Sequence, residues 1–236
     1  MASTKTAPNL HATNKLADLT CDTVFMRAFS NPSTVRAFLT AFFDASKEHL
    51  DIDEVRICPT MDLLDVYNIF DAHCVLADGS KVIVKVRRAP PVLDFRVDTV
   101  LATYNAYAAQ KYAQKDTAAP LVPIRPLVLI PPHLKNVPKQ FRRFLQTVHI
   151  PPNLEDAPFD VRITTVQLPL APQIGQCTCD AERWAVLIRD AHSYTPATVP
   201  AVFQTEPYRA VVERASKQIP AALQGNAGEQ QVVLVV

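Results

Sequence analysis

Two short runs of residues place a carboxylate opposite a cation. Asp71 lies in Tyr67-Asn-Ile-Phe-Asp-Ala-His-Cys-Val-Leu76, and Lys81-Val-Ile-Val-Lys-Val-Arg87 follows after Ala77-Asp78-Gly79-Ser80. Asp-Gly between two β-rich runs is a strong hairpin signal. A two-residue loop would set Asp71 opposite Val86 and put the polar and apolar faces out of phase. A three-residue loop, with Gly79 in the left-handed bulge position, sets Asp71 opposite Lys85. Lys81, Ile83, Lys85 and Arg87 then share one face, and Val82, Val84 and Val86 the other. The plain chemistry of this arrangement is a structural ion pair between Asp71 and Lys85, since ion-pair networks often imitate sites. The sharper one is a phosphate contact. Lys81, Lys85, Arg87 and Arg88, with Arg96 beyond, form a basic strip of the kind that meets phosphates. His73, on the Asp71 face, is a further polar neighbour. Cys177-Thr-Cys179 has no second Cys or His pair nearby, so a zinc site is not expected.

The hairpin needs other elements to hold it. Upstream, residues 22–29 and 35–43 read as two short amphipathic helices in tandem. Asn31 or Ser33 caps the second, with Val35, Phe38, Leu39 and Phe42 as its core stripe. Residues 52–58 alternate like a strand. Downstream, residues 93–115 predict a long helix with Leu93, Val97, Val100, Leu101, Tyr104, Tyr107 and Ala108 as its apolar stripe. Asp94 and Asp98 stand four apart on it, an ordinary pattern for surface carboxylates. Leu127-Val-Leu-Ile130 has the all-apolar pattern of a strand buried on both faces. Phe141 to Val148 reads as a short basic helix or strand, Phe159 to Leu168 as a strand closed by Pro169, and Ala181 to Ala191 as a helix carrying Trp184. This order predicts a mixed α/β fold, a central β-sheet flanked by helices. Three regions are expected: a disordered lead-in at 1–18, a main domain at 19–195, and a C-terminal helix and tail at 196–236.

Composition excludes several classes. The chain has 236 residues, 24 Lys+Arg against 23 Asp+Glu, and a net charge of +1, which excludes a polybasic mode of binding. It has 20 Pro but only 4 Gly, and neither G-x-G-x-x-G nor G-x-x-x-x-G-K-[ST] occurs. Nucleotide sites built on glycine-rich loops are therefore not expected. Five cysteines without framework spacing, no apolar leader and no membrane-length run predict an intracellular protein, cytoplasmic or nuclear.

Taken in order, the motifs resemble the recombination-promoting nucleases, also called PD-(D/E)XK nuclease family transposases. Asp22, Phe25 and Phe29 match an opening D-x-x-F-x-x-x-F helix. Phe70-Asp71 matches a strand ending in a catalytic Asp, and Asp78-Gly79 the hairpin turn after it. Phe95-Arg96, Tyr104, Tyr107 and Gln110 echo a helix with F-x-x-R and paired tyrosines. Gln167-Leu168-Pro169 and Trp184 echo an E-L-P strand end and a Trp-bearing helix. The resemblance spans roughly residues 20 to 192 and implies a restriction-endonuclease-like PD-(D/E)XK core. In that family an Asp, a second acid and a Lys or Gln two residues on hold Mg²⁺ and a water beside the scissile phosphate. Mg²⁺ is hard and prefers oxygen; it polarises the phosphoryl oxygen and lowers the pKa of the attacking water.

The departure falls on the site itself. Where the family pattern I-x-I-E-x-Q has Glu and Gln, this chain has Lys85 and Arg87, and the E-L-P acid is Gln167. The implied catalytic positions are Asp71, Lys85 and Arg87. The implied nucleic-acid contacts are Lys81, Arg88 and Arg96. Metal, if held, would fall to Asp71 with a relocated acid, Asp98. The leading expectation is a nuclease-like protein with impaired hydrolysis that keeps nucleic-acid or protein binding. The alternatives are an active Mg²⁺-dependent DNA endonuclease, or an interaction protein with no nucleic-acid role. No membrane partner is expected.

Overall fold

The structure, a computed structural model, describes residues 15–59, 66–91, 95–114, 120–134, 137, 143–151 and 160–216. Leu93, Asp94, Phe141 and the segments 1–14 and 217–236 lie outside the described residues.

Helix α1 spans Asp22–Ala28 and α2 Pro32–Ala45. Asn31 caps α2, its side-chain oxygen accepting from Ser33 N–H at 3.0 Å, and Pro32 takes the first helical position, where its missing N–H costs nothing. Strands β1 (Ile52–Pro59), β2 (Asn68–Leu76) and β3 (Lys81–Arg88) form an antiparallel meander. Helix α3 (Phe95–Ala113) then leads to β4 (Ile124–Ile130), which runs parallel to β3. Strand β5 (Leu145–Ile150) lies at the far edge, antiparallel to β6 (Val161–Gln167), which inserts between β4 and β5. The sheet order is therefore β1-β2-β3-β4-β6-β5. Helices α4 (Asp180–Asp190) and α5 (Tyr208–Ser216) close the described chain. The fold is mixed α/β, a six-stranded sheet with helices on both faces, as the order of predicted elements requires. No helix among the described residues is long and apolar enough to cross a membrane.

The two faces differ in kind. On one, Phe70, Ala72, Cys74, Val82, Val84, Val86, Leu127, Leu129 and Val166 pack under α1, α2, α4 and α5. Trp184 is fully buried among Phe29, Phe38 and Tyr208, the last with ring centroids 4.4 Å away. Packing continues across residue 195, since Phe203, Tyr208 and Val211 belong to this same core, and it has already begun at Leu16 and Leu19. The other face carries a smaller cluster, Ala89, Val128, Ile130, Val161 and Ile163, against which Val100 and Tyr104 of α3 rest.

α3 is rotated from its predicted setting. Thr99, Thr103 and Tyr107 face the sheet, while Val97 and Leu101 are 62% and 58% exposed. The floor beneath α3 explains the turn, because Arg87 lies there and Asp98 reaches it. The buried Thr103 hydroxyl is satisfied within the helix, donating to Thr99 O at 2.7 Å. Of the segment predicted as helix or strand over 141–148, residues 145–148 form strand β5, which runs on to Ile150.

The β2–β3 hairpin closes through three residues, with Gly79 N–H donating to Leu76 O and Leu76 N–H to Ser80 O, both at 2.8 Å. Gly79 has φ +80° and Asp71 pairs with Lys85. A Cβ at Gly79 would touch nothing within 4 Å, so a substitution there meets only backbone strain. Gly79→Ala is expected to cost about 1–2 kcal/mol, the penalty for a side chain in the left-handed region. Urea denaturation checks it, and an unchanged midpoint would mean the turn relaxes to another type.

Candidate functional site

Strand β3 positions the site because it is central and its side chains alternate. Val82, Val84 and Val86 lock one face into the main core, which aims Lys85 and Arg87 to the other. Both cations are buried, their side chains only 5% and 1% exposed. Each meets a carboxylate. Lys85 Nζ donates to both Asp71 oxygens, at 3.2 Å to Oδ1 and 3.4 Å to Oδ2. Arg87 Nη2 donates to Asp98 Oδ2 at 2.9 Å. A register shift in β2 between Asn68 and Phe70 sets Asn68 beside Arg87 in the ladder, and Asn68 Nδ2 donates to Asp71 Oδ1 at 2.7 Å. Asp71 is therefore held by two donors from two strands.

The carboxylates are the outer partners. Asp71 is 22% exposed and Asp98 35%, so each cation sits beneath its counter-ion. That order suits the physics, since a buried ammonium or guanidinium without a partner costs several kcal/mol and a half-solvated carboxylate much less.

Arg88 departs from the expected basic strip. It falls in the Val84 and Val86 alternation, points to the other face, and its Nε donates to Asp22 Oδ1 at 2.6 Å. It thereby ties the end of β3 to the start of α1. Lys81 is exposed at the hairpin end and Arg96 is half-buried on α3. His73 is exposed on the Asp71 face, opposite Ile83. Gln167 stands at the end of β6, beside Ile130 and two residues beyond the row Arg87–Val128–Thr165. It is buried, and among the described residues its side-chain nitrogen has no hydrogen-bond partner.

This donor set does not fit Mg²⁺. The ion asks for near-octahedral oxygen and takes one or two carboxylates without cations beside them. Here Asp71 faces Lys85 with both oxygens and Asp98 accepts from Arg87. Among the described residues there is no group of three His, Cys, Asp or Glu side chains able to hold a metal.

Four features escaped the sequence reading: Asn68 on Asp71, Arg88 on Asp22, Arg87 on Asp98, and the burial of Gln167. Alternation along β3 carries a signal for the second, because Arg88 is in phase with the valines. No sequence signal announces the bulge that sets Asn68. No protein-family model, curated protein or solved structure matches the chain.

The unequal burial of the ion pair sets the cost of breaking it. Asp71→Ala leaves the deeply buried Lys85 without its anion and is expected to cost about 3–5 kcal/mol. Lys85→Met leaves a carboxylate that keeps Asn68 and some solvent, and about 1–2 kcal/mol follows from the milder desolvation. The double change Asp71→Leu with Lys85→Met should return to within about 1 kcal/mol of wild type, because a well-packed apolar pair replaces a buried ionic one. Chemical denaturation of the four proteins decides it. A larger loss for Lys85→Met than for Asp71→Ala would reverse the assignment of which partner depends on the other.

Proposed function

We propose that this chain is a PD-(D/E)XK-like domain of the transposase-associated type that no longer hydrolyses phosphodiesters and acts by binding. The observation that carries the reading is Lys85 Nζ on both oxygens of Asp71, at 3.2 and 3.4 Å. In the family that the sequence resembles, the Lys85 position carries a metal-binding Glu. An ammonium there neutralises Asp71 from within the protein and repels the divalent ion that hydrolysis requires. The order of elements supports the same reading. The Asp22 helix, the Asp71 strand, the Asp78-Gly79 turn, the Lys85 strand, α3 and the Trp184 helix follow one another as in that family's series of motifs.

The binding role favours a protein partner over nucleic acid. Of the cations assigned to phosphate contacts, Lys85, Arg87 and Arg88 are each engaged by a carboxylate. Lys81 is the exposed one that remains from the strand. A strip whose charges are matched internally exerts little pull on a polyanion. The second reading, an active endonuclease with Asp98 as a relocated acid, would require Arg87 to release Asp98 before any metal could bind.

The test pairs two assays on the full chain. Plasmid nicking should be absent with Mg²⁺ and with Mn²⁺, and duplex DNA binding should be weak, with a log–log salt slope of about 1 or less. Cleavage abolished by Asp71→Ala would establish the endonuclease reading instead. Lys85→Glu with Arg87→Gln removes both cations and rebuilds a two-acid set at Asp71. Calorimetry should then show Mn²⁺ binding that is lost on adding Asp71→Ala. A folded double variant with no such binding would detach this hairpin from nuclease ancestry.

A further inference from the structure

Far from the hairpin, a second chemical feature stands at the start of α4. Cys177 and Cys179 flank Thr178, and both thiols are free and half-buried. The residues ahead of them are pinned from below. Arg189 donates to Ala171 O and, at 3.2 Å, to Pro172 O, which fixes the chain where it approaches α4. Thr178 is held separately, its N–H donating to Glu182 Oε2 at 2.6 Å and its hydroxyl to the same oxygen at 3.0 Å. Glu182 thus secures the first turn of α4 through Thr178. The thiols themselves are loosely engaged. Cys179 is the N-cap residue yet its side chain makes no capping hydrogen bond. Cys177 Sγ has one long contact to Gln173 O at 3.6 Å.

The covalent geometry permits closure. Two residues span at most about 7 Å between Cα atoms, and disulfides accept Cα separations of about 4.4–6.8 Å. Cys177 (φ −65°, ψ 126°) and Cys179 (φ −141°, ψ 168°) both lie in extended backbone, and Thr178 between them is the residue whose torsions set their separation. A change of torsion at Thr178 works against its two hydrogen bonds to Glu182. The ring is therefore opposed by the contacts that secure the first turn of α4, and a disulfide formed against such opposition is of the easily reduced kind.

We propose that Cys177 and Cys179 are a thiol-modification site, a dithiol that small disulfides of the glutathione type convert to an internal disulfide, loosening the first turn of α4. One thiolate attacks the oxidant's disulfide, forming a mixed disulfide and expelling a thiolate. The second protein thiol gives up its proton and attacks the protein sulfur of the mixed disulfide, expelling the second thiolate. Two protein thiols are oxidised and one small disulfide is reduced to two thiols. The competing thiol in the core is the less reactive, because burial pushes the Cys74 thiol up to about 12, although partial burial and the Glu182 carboxylate also raise Cys177.

The experiment equilibrates the full chain with graded mixtures of glutathione and its disulfide, quenches with acid, and maps thiols by mass spectrometry. The expected product is a peptide containing residues 177 and 179 that lacks two hydrogens and carries no glutathione. A variant with Cys21→Ser and Cys58→Ser should give the same product at the same ratio. Cys177→Ser or Cys179→Ser should instead accumulate a glutathione adduct on the remaining thiol. Glu182→Gln weakens the hold on Thr178 and should make the internal disulfide about tenfold more stable, a shift of about 30 mV. Stable adducts on the unaltered protein, or a disulfide that joins either residue to Cys21 or Cys58, would overturn the proposal. So would a closing ratio that Glu182→Gln leaves unmoved.

Discussion

A cation buried in a protein has to be neutralised where it stands, and strand β3 buries two. Lys85 and Arg87 lie on a central strand whose opposite face is committed to the apolar core through Val82, Val84 and Val86. They cannot swing outward without taking the valines with them, since a one-residue slip exchanges every side chain between faces. The surroundings are arranged around that constraint. The three-residue turn sets the register that brings Asp71 to Lys85, and the irregularity in β2 brings Asn68 to Asp71. Helix α3 takes the rotation that brings Asp98 to Arg87.

The last of these accounts for an oddity of α3. Judged by its own apolar residues, the helix should bury Val97 and Leu101. It buries Thr99 and Thr103 instead and leaves Val97 and Leu101 largely exposed. Burying a Val or Leu side chain is worth about 1.5–3 kcal/mol. An uncompensated buried guanidinium costs several kcal/mol, and more where no water reaches it. The helix therefore follows the charge and leaves apolar surface outside. Periodicity ranks residues by hydropathy alone, so it has no means of detecting a polar floor beneath a helix.

The same distinction separates what was legible in the sequence from what was not. The tandem helices, the meander, the buried strand at 127–130 (which starts earlier, at Ile124) and the Trp184 helix were readable because each depends on local periodicity, caps and turns. The Asp71–Lys85 register was readable because a loop of one length alone keeps both faces in phase. Arg88 was misplaced by grouping it with neighbours in sequence when alternation placed it with the valines, and its partner, Asp22, stands on another element 66 residues away. Asn68 and Gln167 take their roles from a register shift and a cross-strand position, which depend on tertiary structure. Residues 196–216 had weak patterning because Pro196, Pro200 and Pro207 interrupt any helical or strand period, yet Phe203 and Tyr208 complete the aromatic cluster at Trp184.

A metal-dependent active site is an arrangement of like charges that only the metal makes stable. Two carboxylates held a few ångströms apart without a cation raise one another's pKa and destabilise the fold that holds them. Such a domain trades stability for the ability to bind its ion, as strained functional sites generally do. Placing Lys and Arg on the strand at those positions removes the trade, because each carboxylate acquires a cation that cannot dissociate. The strand carries a pair of internal salt bridges, and on the proposed reading they stand where the family holds its ion. The proposed loss of hydrolysis and the close fit of the β2–β3–α3 unit thus have one physical origin: the charge that a nuclease would take from solution is here built into the chain.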